Sequence, residues 1–143
     1  MDALLKEAIM DQARDHLLAG YHCSEGILLA VGQHYFPISL PGLIRIAAPF
    51  SGGVAGTQEE LCGAFTGGLM VIGAMFGRKS ANEDDDYCIA LTRLFRERFI
   101  HHFETLQCKK LRNNWVGKPG QPDCAELTAQ AAGLLIEVIE NSN

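Results

Sequence analysis

One uncharged stretch, Leu61 to Gly77, constrains this chain more than any other feature, because it holds five glycines among mostly apolar residues. Its seventeen residues fall just short of the roughly 20 that a membrane span needs. It therefore reads as a buried core helix, with no membrane insertion. Glycine in a helix interior costs about 1 kcal/mol relative to alanine, so something must offset Gly63, Gly67 and Gly68. Gly63 and Gly67, like Ala64 and Gly68, lie four apart and make one smooth face. Either a neighbouring helix approaches closely along that face, or the face gives a cofactor or a partner sulfur room beside Cys62. Thr57-Gln58-Glu59-Glu60 has the form of a capping box, which predicts a helix from Gln58 to about Phe76.

The rest of the chain shows helical periodicity and no alternating strand pattern. Leu4, Leu5, Ala8, Ile9, Ala13, Leu17 and Leu18 form a stripe that stops at Gly20. A second helix is expected from about His22 to Tyr35, ended by Pro37, and a short one from Ser39 to Ala48. Pro49 to Gly56 reads as a glycine-rich loop. Glu83 to Asp86 place acids where a helix dipole favours them, opening a helix that is expected to run to about Gln107. Its stripe includes Cys88, Leu91, Phe95, Phe99, His102 and Phe103, with His101 facing outward and Lys109, Lys110 and Arg112 following its end. After a Gly/Pro loop, Asp123 caps a last helix that ends near Glu140. The expectation is an all-α bundle of about six helices, a single domain over residues 1–143, with the glycine-rich helix at its centre.

With 143 residues, 48% of them hydrophobic, a chain of this size buries about 68–70% of its unfolded surface, so a core needs no metal or disulfide staple. A net charge of −5 argues against a nucleic-acid binder, which needs a basic face to neutralise phosphates. The N-terminal residues Met1 to Glu7 include acids and no apolar run of signal type, so the expected location is cytoplasmic. There the thiol pool keeps cysteines reduced, and five cysteines point to metal, redox chemistry or core packing.

Expected caps put Cys23 and Cys124 in the first turn of their helices, where amides and dipole favour a thiolate. Cys62 falls about a turn into its own helix, and Cys108 at a helix C-terminus beside Lys109 and Lys110. Cys88 lies on an apolar stripe and reads as an ordinary core residue. Free cysteine is among the most buried residue types, so each of the others is a core thiol by default. Successive gaps of 39, 46 and 16 residues between Cys23, Cys62, Cys108 and Cys124 match no zinc-finger or ferredoxin spacing. No CxxC pair occurs, and without CxxCH covalent haem attachment is excluded.

The arrangement Gly20-Tyr21-His22-Cys23, then Phe50-Ser51-Gly52-Gly53, then Cys62-Gly63-Ala64-Phe65-Thr66-Gly67, then Cys108 and Cys124 resembles the redox-active proteins named for a C–GCAxxG–C–C pattern. The resemblance runs from about Leu17 to Ile139. It implies an all-helical domain in which Cys23, Cys62, Cys108 and Cys124 are the family's four cysteines, with Cys88 outside the motif. A similar domain occurs in split-Soret cytochromes, where an iron–sulfur centre has been suggested. Many members carry asparagine where His22 stands; the histidine adds a base or ligand beside Cys23, or serves as a plain helix cap.

Three functions follow as expectations. The first is an iron–sulfur site for electron transfer on the four cysteines, with Gly63, Gly67 and Gly68 giving the cluster space and two lysines offsetting its charge; structural zinc is a variant. The second is metal-free dithiol/disulfide exchange, with Cys23, Cys62 or Cys124 attacking and Cys108 resolving. The third is a helical scaffold with inert thiols. Arg93, Arg96, Arg98, Lys109, Lys110 and Arg112 would either dock an acidic redox partner or form a solvated face. A homodimer through the glycine face is compatible with all three. Asp84-Asp85-Asp86, as consecutive helical residues, should diverge and not gather around a metal. No Ser/His/Asp arrangement or phosphate loop is visible.

Overall fold

Asp2 and Asp123 each cap a helix in the way short polar side chains do: Asp2 Oδ1 accepts the amide of Leu5 at 2.8 Å and Asp123 Oδ1 that of Glu126 at 2.9 Å. The computed structural model describes residues 1–141. Its elements are α1 (Ala3–Leu18), α2 (Cys23–Tyr35), α3 (Leu40–Ala47), a 3-10 turn (Ala48–Phe50), α4 (Gly63–Phe76), α5 (Asp86–Phe103), α6 (Cys108–Asn114) and α7 (Cys124–Asn141). The chain is all-α, and two isolated bridges are the β pairing among the described residues. No described helix is long and apolar enough to cross a membrane.

α1 lies along α7, and α2 packs on α1, α4 and α7. Ile9 and Ala13 of α1 face inward. At the edges of the α1–α7 contact, Arg14 Nε meets Glu126 at 2.8 Å and Lys6 Nζ meets Glu137 at 2.5 Å. The core includes Ile27, Val31, Ile72, Phe95, Phe99 and Ile136, each 1% exposed or less. Fully burying such a side chain contributes about 1.5–3 kcal/mol. Phe95, Phe99 and Phe103 recur every fourth residue along one face of α5; Phe65 of α4 stacks on Phe95 at 5.5 Å, and Trp115 closes on Phe103 at 5.4 Å. That ladder of rings fixes where α6, which Trp115 follows as its C-terminal cap, can lie.

Two expected boundaries move and one helix is added. α4 begins at Gly63 and not at Gln58, because Gln58 is left-handed (φ 64°). Thr57, expected as a cap, gives its hydroxyl to the carbonyl of Gly53 at 2.8 Å. α5 stops at Phe103, since Glu104 adopts φ 73°, and α6 follows as a separate, seventh helix. His102 is exposed and its Nε2 lies 2.8 Å from Gln130 Oε1, so it does not pack under the stripe.

Candidate redox site: four cysteines on one cavity

Each motif cysteine stands at the start of a different helix. Cys23, Cys108 and Cys124 are the first residues of α2, α6 and α7, and Cys62 is the residue that precedes α4. Two placements correct the expectations: Cys62 is not a turn into its helix, and Cys108 opens α6 where a helix C-terminus was expected. All four line one cavity of about 320 Å³. Its walls are Leu17 and Leu18 at the end of α1, Tyr21 and His22, Gly52, then Leu111 and Arg112 of α6, and Asp123, Ala125, Leu127 and Thr128 at the start of α7. Cys62 and Cys108 are buried; Cys23 and Cys124 are partly exposed. Cys88 lies elsewhere, packed against the core from α5.

The connection between α3 and α4 shapes one wall. Gly52, Gly53, Val54, Ala55 and Gly56 are five consecutive residues at positive φ (55°, 68°, 68°, 52° and 73°). For side-chain-bearing residues such as Val54 and Ala55 this costs roughly 1–2 kcal/mol each. The turn is held by Ala55 N to Pro49 O and Gly56 N to Ser51 O, both 2.9 Å, and by Gln58 N to Gly52 O at 2.8 Å. Its far end is tied to the start of α6: the Cys108 amide donates to Glu60 O at 3.0 Å, that of Lys109 to Gln58 O at 2.9 Å, and the Cys62 amide to Leu106 O at 2.7 Å. These long-range bonds are what override the local capping signal. At Gly53 a Cβ would sit 2.6 Å from the Cβ of Cys108, so the turn closes directly on that cysteine.

Amides in such a turn are suited to anions, and here that of Gly52 serves a sulfur. The Cys23 thiol is lowered to about 6, first because the Cys62 thiol hydrogen-bonds to it, then because the amides of Gly52, Ser24 and Gly63 donate to it, against the cost of burial. Cys23 is thus a thiolate at neutral pH. Cys62 is pushed well up by the bond it donates to Cys23 and by burial, and it holds its proton. Cys108 is raised by burial and by the charges of Cys23 and Cys124, with Arg112 acting the other way. Cys124 is raised by burial, again opposed by Arg112.

The glycines divide by position. A Cβ at Gly63 would collide with the Cys23 sulfur and lie 3.0 Å from Ser24 N, so this glycine is what lets the two cysteines meet. Gly67 lies against Ile27 and the backbone of Ser24, and Gly68 against the ring of Phe95. Both sit at helix–helix contacts and neither lines the cavity. Lys109 points to Glu59, 3.7 Å away, and neither it nor Lys110 lines the cavity. Arg112, which does, follows Cys108 by four residues on the same helix face; the spacing was available in the sequence, but reading Cys108 as a helix end hid it. The Gly52 amide had no local signal, because it depends on the left-handed turn.

Among the described residues, the one trio of His, Cys, Asp or Glu ligand atoms within 4.8 Å of one another belongs to Asp84, Asp85 and Asp86. These carboxylates were expected to diverge, but α5 begins only at Asp86, so helical geometry does not separate them. By the same measure no three of the four sulfurs are that close. A single tetrahedral ion with metal–sulfur bonds of about 2.3 Å would draw its sulfurs nearer together.

No curated protein and no solved structure matches the chain. A family model described as "Putative redox-active protein (C_GCAxxG_C_C)" matches residues 21–138, the span that carries all four cavity cysteines. The chain belongs to this family of redox-active proteins.

Proposed function

We propose that the cavity is the working centre of an electron-transfer protein, in which Cys23, Cys62, Cys108 and Cys124 hold an iron–sulfur cluster. The observation that carries this reading is the convergence of four cysteines, from four separate helices, on one cavity. The donor set fits: clusters take four cysteine thiolates, and sulfurs spread wider than a single ion demands suit a polynuclear centre better than zinc. When bound, the cluster would supply one-electron chemistry. The chain's own contribution is the environment. Amides of Gly52, Ser24 and Gly63 stabilise negative charge on the Cys23 sulfur. Leu17, Leu111 and Leu127 make an apolar wall that lowers the local dielectric. Hydrogen bonds to sulfur and solvent access are the levers that set a cluster's potential. Electrons would be exchanged with a redox partner protein, in a cytosol that keeps unligated thiols reduced.

Protein purified without oxygen should contain iron with matching acid-labile sulfide, and Cys62→Ser should abolish its visible absorption. Zinc alone, or a Cys62→Ser variant that keeps its colour, overturns the reading.

The hydrogen bond between Cys62 and Cys23 favours a second reading, dithiol/disulfide exchange. Cys23 thiolate attacks a substrate disulfide, forming a mixed disulfide and expelling one thiolate. Cys62 then attacks the Cys23 sulfur and gives its proton to the second leaving thiolate; two electrons pass from the cysteine pair to the substrate. Metal-free protein in which Cys23 alone is alkylated rapidly at neutral pH would favour this reading over the cluster.

A further inference from the structure

We infer that Arg112 is the fixed counter-charge of the four-cysteine centre and sets how readily that centre is reduced. The inference rests on the reading of the cavity as a redox centre and applies to either chemistry there. Cys108, Leu111 and Arg112 occupy one face of α6 and all line the cavity. Among the described residues Arg112 is in no ion pair, whereas Lys6, Arg14, Arg78 and Lys109 each meet an acid. Its guanidinium belongs to the lining of the cavity that all four cysteines share, and a positive charge there favours negative charge on nearby sulfurs. Asp123 lines the same cavity and keeps its negative charge while accepting the amide of Glu126, so it offsets part of the effect of Arg112.

Reduction adds negative charge to a cluster, or turns a neutral Cys23–Cys62 disulfide into one thiolate and one thiol. A guanidinium stays charged at any working pH, so it stabilises the reduced state in both cases. Arg112 is solvent-exposed, which screens the effect. About a tenfold change in the reduction equilibrium is expected, or about 59 mV for a one-electron couple and ~30 mV for a two-electron one.

The test is the midpoint potential of anaerobically purified protein for wild type, Arg112→Gln, Arg112→Lys and Lys110→Gln, with helicity by circular dichroism as the folding control. Arg112→Gln should move the potential negative by that tenfold step, and the shift should shrink at high salt. Arg112→Lys should recover most of it, and Lys110→Gln should match wild type. An Arg112→Gln potential equal to wild type, or an equal loss in Lys110→Gln, overturns the inference while leaving the redox centre standing. A wild-type protein with no reducible centre overturns both, before any variant is compared.

Discussion

At Cys23 three backbone amides and a neighbouring thiol converge on one sulfur, and this ties stability to pH. Take the metal-free protein. Cys23 titrates near 6 when folded and near the ordinary 9.0 when unfolded, so between those values the unfolded chain binds a proton that the folded one does not. Stability from this thiolate is complete above pH 9 and is lost as pH falls through about 6. Cys62, held protonated, works in the opposite sense, and only once pH climbs beyond the ordinary thiol value. The urea midpoint should therefore rise between pH 6 and 8.5 in wild type and lose that rise in Cys23→Ser; a midpoint equally flat in both proteins would contradict this geometry. The set of cysteines that shares the cavity is the set the motif picks out. The low pKa of Cys23 was half legible, since a helix start could be read from the sequence. The Gly52 amide could not, because no local pattern announces five residues of left-handed turn that include Val54 and Ala55.

Helices in this protein are spaced by their glycines, and the two ends of α4 show opposite uses. Gly67 faces the backbone of Ser24, with a notional Cβ 2.5 Å from its carbonyl oxygen, and backbone cannot step aside. Gly73 of the same helix is exposed and has nothing within 4 Å of that position. Gly67→Ala should destabilise by about 1–3 kcal/mol through overpacking, and Gly73→Ala should stabilise by up to about 1 kcal/mol through helix propensity. Chemical denaturation of the two variants checks both signs. The close-approach reading of the glycine face was available from the sequence for Gly67; the role of Gly63 was not, since it required knowing that Cys23 lies opposite. Helices α1, α2, α3 and α7 were legible to within a residue or two at their starts, because each has a cap or a proline that works locally. α4 and α6 were not, because their starts are set by hydrogen bonds between Glu60 and Cys108, Gln58 and Lys109, and Cys62 and Leu106. Such tertiary pairing overrides local capping.

Over the whole molecule, most of the apolar core lies away from the cysteine cavity, and the two meet at Cys62, Leu111 and Leu127. Ile72, Phe95, Phe99, Leu135 and Ile136 are buried against one another's helices, and none of them lines the cavity. A zinc finger collapses without its metal because the metal is its core; here the core has other sources. Treating anaerobic protein with a chelator should therefore remove any metal and its colour while leaving the helical circular dichroism nearly unchanged. Collapse of the helical signal would mean that the centre is structural. The all-α class was readable from helical period alone. The convergence of the cysteines was not, since gaps of 39, 46 and 16 residues say nothing about which helix starts meet.

Gly63 sits opposite Cys23, and Gly67 opposite Ser24 and Ile27, so α2 and α4 run side by side in the same direction. The chain that leaves α2 at Tyr35 must travel back about 20 Å, at 1.5 Å per helical residue, before α4 can start. That return has a slack half and a taut half. Around Ile38, which is 95% exposed and lies between α2 and α3, an added residue can bulge into solvent. From Ser51 to Leu61 an added residue would shift the amide that serves Cys23, the packing on Cys108 and the register of Cys62 together. Length can therefore vary in this protein between α2 and α3 and not between the 3-10 turn and α4, although both connections are loops.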